Sequence, residues 1–317
     1  MIPYPWFEQA RSRIAAYIRH TPLTYDSALD AYLKWENHQV TGSFKARGAL
    51  NKVLGLTAWE QQKGIVTASA GNHGQGVALA GQLVGARVIV FVPETAVAKK
   101  VQAIRNLQAE IHSVTGGYAQ AERAGIEHAR ATGSTWVSAY NDGQVIAGQG
   151  TIALEDQDAF PKLAEATWIV PVGGGGLISG IAAVLKSHPN RSQAARVIGV
   201  QSEASAFMHH LYHFGTQEGV PDLPSLADGL AGAVEHNSIT IPLVKKYVDD
   251  LVIVSEKEIA HAVAFAWRAY HEKIEGSAAA ALAAILQHRI TSRPVVCLIS
   301  GGNIQPEIHA QIISSQG

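Results

Sequence analysis

Seven short runs of apolar, largely β-branched residues punctuate this 317-residue chain, at 65–68, 88–92, 135–138, 168–172, 197–201, 251–254 and 295–299. Each is continuous rather than alternating, the pattern of strands covered on both faces. Ala- and Leu-rich stretches at 75–83, 98–108, 119–131, 177–187, 256–273 and 277–288 lie among them and suit helices. Alternating strand and helix predicts an α/β fold built on open, twisted, mainly parallel sheet. Ligands of such folds bind at the carboxyl ends of the strands. At roughly 150 residues per domain, the length suggests two domains.

Charge and cysteine content exclude several functions. Lys and Arg total 25, Asp and Glu 26, for a formal net charge of −1. That balance removes the electrostatic case for nucleic acid or an anionic membrane as partner. The single cysteine, Cys297, forbids an intramolecular disulfide and a Cys-based zinc cluster. No basic segment followed by an apolar run opens the chain, and no apolar stretch reaches about 18 residues. The expectation is a soluble, cytoplasmic protein.

Three of the strand ends run into Gly-rich or polar turns: Ser69-Ala70-Gly71-Asn72-His73-Gly74, Gly173-Gly174-Gly175-Gly176 and Ser300-Gly301-Gly302-Asn303. Glycine at such a turn lets backbone N–H groups approach a ligand, and a following helix adds its unpaired donors and partial positive charge. Four consecutive glycines suit a phosphate cradle; the plain alternative is a tight turn with no ligand. A dinucleotide fingerprint fails, because its last glycine would fall on Ile178 or Ser179, and no Walker A loop is present. Thr41-Gly42-Ser43-Phe44-Lys45-Ala46-Arg47-Gly48 places a lysine in a weakly charged segment. Desolvation there would lower its pKa and favour amine chemistry; an isolated lysine is more simply a surface group.

Taken together, a candidate Schiff-base lysine, a phosphate loop and polar turns at other strand ends are the parts that hold pyridoxal phosphate. Ser43-Phe44-Lys45-Ala46-Arg47-Gly48, the Ser69–Gly76 segment, the four glycines, Val145-Ile146-Ala147-Gly148-Gln149-Gly150-Thr151, Glu275-Gly276-Ser277-Ala278 and Ser300-Gly301-Gly302-Asn303 occur in order. The chain resembles, over nearly its whole length, the fold-type II pyridoxal-phosphate enzymes of the threonine/serine dehydratase and serine racemase group.

The resemblance implies two sheet domains with the cofactor between them: a large one of residues 1–50 and 146–317, and a small mobile one of residues 51–145 inserted in it. It implies that Lys45 carries pyridoxal 5′-phosphate as a Schiff base and then acts as base at the substrate Cα. Gly173, Gly174, Gly175 and Gly176 would bind the phosphate, Asn72 the ring 3′-oxygen and Ser300 the ring nitrogen, with Phe44 and Glu275 beside the ring. Ser69, Ala70, Gly71, Asn72 and His73 would bind the substrate carboxylate. The implied reaction is α,β-elimination from a β-hydroxy amino acid, L-threonine or L-serine, giving a 2-keto acid and ammonia, in a homodimer.

Two departures narrow this further. The racemases carry a serine as second acid/base where this chain has Ala70, and racemisation needs a proton donor on each face. The divalent-cation positions read Gln201 and Phe207, so no metal is expected. The alternatives are a serine racemase, a dehydratase of hydroxyaspartate or phenylserine, and, from another class, a nucleotide-binding protein using the glycine run. His209, His210 and His213 suit a partly exposed helix, Cys297 a buried strand, and Lys99 and Lys100 exposed helix charges. Residues 215–232 suit a surface loop. Asn141, Asp142 and residues 226–232 are expected in the wall of the substrate pocket.

Overall fold

The computed structural model describes residues 1–189, 194–292 and 294–316. Among the described residues ten strands are present: β1 (Leu23–Asp26), β2 (Ala31–Trp35), β3 (Ile65–Ala68), β4 (Val88–Pro93), β5 (Glu110–Val114), β6 (Thr135–Trp136), β7 (Thr167–Pro171), β8 (Arg196–Ser202), β9 (Asp250–Val254) and β10 (Val295–Ile299). The α-helices begin with α1 (Tyr4–Ile14), α2 (Lys45–Leu54), α3 (Ala58–Lys63), α4 (Asn72–Val84), α5 (Ala98–Arg105), α6 (Tyr118–Thr132) and α7 (Gly143–Ala159). They continue with α8 (Gly176–Ser187), α9 (Phe207–Phe214), α10 (Thr240–Tyr247), α11 (Glu256–Tyr270), α12 (Gly276–Leu286) and α13 (Pro306–Ser315).

The strands form two sheets, ordered β1-β2-β10-β7-β8-β9 and β5-β4-β3-β6. Every pairing is parallel except β1 with β2. All seven continuous apolar runs are strands, and the reason is visible in β7 and β10. Trp168, Val170, Val296 and Leu298 pack against α7 and α8, while Ile169, Val295, Cys297 and Ile299 pack against α11 and α12. Both faces are buried, so no alternation appears. In the four-stranded sheet, Ile65, Val88, Val90 and Val92 face Val77 and Ala78 of α4, and Val66, Ala68, Ile89 and Phe91 face α6.

β1, β2 and β5 were not expected. β1 and β5 are edge strands with partly exposed faces, and β2 carries Lys34 as its fourth residue. Helix ends also differ. The expected helix 98–108 stops at Arg105, followed by Gln108 at φ +65°, and 256–273 stops at Tyr270, where His271 caps it at φ +57°. Strand 135–138 shortens to two residues.

Helix α2 joins the two sheets. Its Ala46, Ala49, Leu50 and Val53 share a core with α4 and the four-stranded sheet. Its opposite side meets α7 at a glycine crossing: a Cβ on Gly148 would lie 2.6 Å from Arg47 O and from Gly48 Cα. Arg47, fully buried, holds Glu36 through Nε–Oε2 at 2.8 Å and Nη2–Oε1 at 2.7 Å, and Nη1 lies 2.9 Å from Glu155 Oε2. Lys34 Nζ reaches Glu155 Oε1 at 2.6 Å and Asp156 Oδ1 at 2.8 Å. Burial would raise the Glu155 pKa, but Arg47 and Lys34 outweigh it and hold it below the usual range. Burial wins at Asp156, whose carboxyl is pushed up to about 7. Near neutrality the Asp156 carboxyl is thus partly protonated beside the Lys34–Glu155 contact.

Removing one charge from such a network leaves another uncompensated. Glu36→Gln is expected to cost about 3–5 kcal/mol of folding stability, read as a lowered urea midpoint. The double variant Glu36→Leu/Arg47→Met is expected to recover most of that loss, since apolar replacement of a whole pair is often neutral.

Candidate active site

The carboxyl ends of β3, β7 and β10 open onto one cavity of about 410 Å³, a volume suited to a small-molecule ligand. Its walls include Phe44, Lys45, Ser69, Ala70, Gly71, Asn72, His73, Gly173, Gly174, Gly175, Gly176, Glu275 and Ser300. The residues expected to bind the cofactor and the substrate carboxylate are therefore brought together.

Lys45 is the first residue of α2, and Phe44 its N-cap. The segment before it is pinned to the end of β10: Ser43 bridges Gly301, and Phe44 N–H donates to Ser300 O at 3.1 Å. Gly42 turns the chain at φ +72°, where a Cβ would meet Asn303 Oδ1 at 2.7 Å. Lys45 Nζ donates to Ala139 O at 2.9 Å and lies 5.2 Å from the Phe44 ring centroid. Burial pulls its pKa down to about 8, against the opposing pull of Glu275. A sizeable neutral fraction, able to act as nucleophile or base, is therefore present near physiological pH.

His73, on the second position of α4, is buried with Nε2 3.1 Å from Val137 O and Nδ1 unpartnered. Burial, then Lys45, pulls its pKa down to about 3, so the ring is neutral and adds no second cation. Ser69 Oγ accepts from Gly71 N–H at 3.1 Å, which shapes the turn into α4. Asn72 donates Nδ2 to Glu275 at 2.8 and 3.0 Å, and its Oδ1 accepts from Asn303 Nδ2 at 2.7 Å. The Glu275 carboxyl is pushed up to about 7 by burial, opposed by the Asn72 hydrogen bond.

The four glycines join β7 to α8, and two of them explain the run. Gly175 sits at φ +87°, and a Cβ on Gly174 would strike the Tyr140 ring at 2.5 Å. Only glycine lets this turn pass Tyr140 and deliver the unpaired N–H groups of the α8 terminus to the cavity. Thr240 Oγ1 donates to Gly174 O at 2.7 Å and holds the turn from behind.

Residues 14–301 match the family described as "Pyridoxal-phosphate dependent enzyme". The chain is 40% identical to the L-threonine ammonia-lyase of Thermotoga maritima, covering 99% of this chain and 79% of that one. It is 40% identical to a catabolic L-threonine dehydratase of Staphylococcus aureus, covering 94% and 88%. Its fold superposes on maize serine racemase with a TM-score of 0.90 at 29% identity, covering 98% and 97%. The chain belongs to the pyridoxal-phosphate-dependent enzymes of the threonine/serine dehydratase family.

The site fits the family's cofactor. A desolvated lysine, a glycine cradle at a helix N-terminus and a buried serine converge on one cavity of suitable size. Several wall residues of this pyridoxal-phosphate enzyme escaped sequence reasoning. Ala139 O holds the lysine, Tyr140 packs on the glycine turn and accepts from Glu235 N–H at 3.0 Å, and Tyr118, Gln75 and Asp222 also face the cavity. Residues 215–232 are more than a surface loop, because Asp222 and residues 228–232 line the site. Lys100 is not a free surface charge: its Nζ lies 2.7 Å from Asp228 Oδ2, and both line the cavity. Asn141 and Asp142, expected in the wall, lie behind it. Asn141 ties to Glu235 and Ile239, and Asp142 caps α7. His209, His210 and His213 lie on α9, partly exposed, and Cys297 is buried in β10.

The Glu275 shift makes stability depend on pH. Its folded pKa lies above its unfolded one, so the folded state gains from the proton at low pH and loses that gain as pH rises through about 7. Glu275→Gln keeps a hydrogen-bonding group without the titration. Relative to the parent, cofactor-free Glu275→Gln is expected to gain about 1–2 kcal/mol in urea unfolding between pH 5 and pH 8, allowing for partial exposure.

Proposed function

We propose that this protein is an ammonia-lyase that converts L-threonine or L-serine to a 2-keto acid and ammonia. The observation that carries the reading is Lys45, desolvated at the start of α2 and lining the same cavity as the glycine turn. Bound pyridoxal phosphate supplies an electron sink for negative charge at the substrate Cα. Lys45 takes the Cα proton and, as its conjugate acid, returns that proton to the departing β-hydroxyl. Water leaves, and its later addition at Cα releases ammonia and the keto acid.

Residues of the turn into α4 support elimination over racemisation. Ala70 offers no acid or base, and His73 is neutral with Nε2 directed at Val137 O. Main-chain N–H groups of the turn before α4 suit the substrate carboxylate, and those at the start of α8 suit the phosphate. Asn72, held by Glu275 and Asn303, would meet the ring 3′-oxygen with its amide plane fixed, and Phe44 and Ser300 would hold the ring from beside it and at its nitrogen. The same reading includes a small domain, residues 51–145, that closes over the substrate, a homodimer in solution and a cytoplasmic location. Among the described residues, no helix is long and apolar enough to cross a membrane.

Ammonia and keto-acid release should be measured with L-threonine, L-serine and their D-forms offered separately to the pyridoxal-phosphate-loaded protein. Turnover is expected from an L-substrate and not from the D-forms. Lys45→Ala should lower kcat by about 10³-fold or more. A Lys45→Ala protein that matches the parental rate would end this assignment. In Gly174→Ala the new Cβ must displace Tyr140, and cofactor affinity is expected to fall about tenfold or more, by titration of the visible absorbance.

A further inference from the structure

Lys100 and Asp228 come to the cavity from opposite sides. Lys100 stands in the first turn of α5, beside the four-stranded sheet. Asp228 opens the short 3-10 turn Asp228–Leu230, which is fixed over the glycine run: Gly229 N–H donates to Ser277 Oγ at 3.0 Å, and a Cβ on Gly173 would meet Leu230 Cα at 3.1 Å. Their Nζ–Oδ2 distance is 2.7 Å, and both charges are felt by Glu275. Side-chain exposure is 23% for Lys100 and 65% for Asp228. An ion pair this open contributes little to folding.

The charge inventory of the cavity gives the pair a role. Among the described residues lining it, the lysines are Lys45 and Lys100, and the carboxylates are Asp222, Asp228 and Glu275. Lys45 is committed to the amine chemistry. Lys100 is committed to Asp228. A substrate side chain bearing a second carboxylate would thus find no uncommitted lysine and would meet Asp228 as a like charge. Specificity of this kind works by repulsion of the wrong ligand as much as by attraction of the right one.

We propose that the Lys100–Asp228 pair is a specificity element that selects amino acids with uncharged side chains and rejects dicarboxylic ones. This rests on the ammonia-lyase reading for the reaction, but selection itself is measurable without turnover. L-Aspartate and L-2-aminobutyrate differ at the side-chain end by a carboxylate in place of a methyl group, and neither carries a β-hydroxyl to lose. Their binding to the holoenzyme should be compared by calorimetric titration in the parent, Asp228→Asn, Lys100→Met and the double variant. Asp228→Asn frees Lys100 and is expected to improve the affinity for L-aspartate relative to L-2-aminobutyrate by about tenfold or more. The double variant should lose that gain. The kcat/KM ratio of L-threo-3-hydroxyaspartate over L-threonine should move in the same direction. If Asp228→Asn shifts both ligands by one common factor, the pair only positions the loop or closes the cleft, and the proposal is overturned. Asp228→Ser provides the same test should Asp228→Asn not fold. A parent enzyme that releases no ammonia from threonine or serine would overturn the ammonia-lyase reading, while the aspartate-to-aminobutyrate ratio would still decide the role of the pair.

Discussion

Arg47 has no exposed surface, yet it is tied to Glu36 by two hydrogen bonds and to Glu155 by an ion contact. A guanidinium in that setting tolerates little displacement, because its planar fork fits a carboxylate in few orientations and a slip strands a buried charge. Arg47 lies two residues beyond Lys45 on the same helix. The rotation and height of α2 are thereby set, and with them the direction from which the lysine enters the cavity. The Gly48–Gly148 crossing with α7 acts on the same helix from another side, since two backbones can approach this closely only without Cβ atoms.

The cavity results from bringing the strand ends of two sheets face to face. β3 supplies the turn into α4, β7 the glycine turn into α8, and β10 the segment that hydrogen-bonds to Phe44. Two of these ends open helices whose first N–H groups lack intrahelical partners, so they present donors where an anion would sit. Desolvation works with opposite consequence on the two central titratable groups. It lowers the ammonium pKa of Lys45 and raises the carboxyl pKa of Glu275, bringing both close to neutral pH.

Much of this was legible along the chain, for a physical reason. β7 and β10 are buried on both faces and must be apolar throughout, and a turn on which a Cβ would lie 2.5 Å from Tyr140 must be glycine. β5 and β1 were not legible because an edge strand needs only one apolar side. Lys100 looked like any helix-surface lysine because its partner, Asp228, lies 128 residues away. Ala139 contributes through its carbonyl, which has no side-chain signature, and Tyr140 resembles any partly buried aromatic until the glycine turn is placed against it.

Local necessity therefore wrote the sheet type, the glycine turn and the candidate lysine into the sequence itself: covered strands demand apolar runs, a close backbone passage demands glycine, and family motifs keep their order. Only tertiary structure decided which charges meet. Whether Lys45 is solvated or held against Ala139, whether Glu275 finds Asn72, and whether Lys100 is free or neutralised depend on contacts between segments 94, 203 and 128 residues apart. The energy of a charge follows from its surroundings, and those exist only once the two sheets have come together around α2.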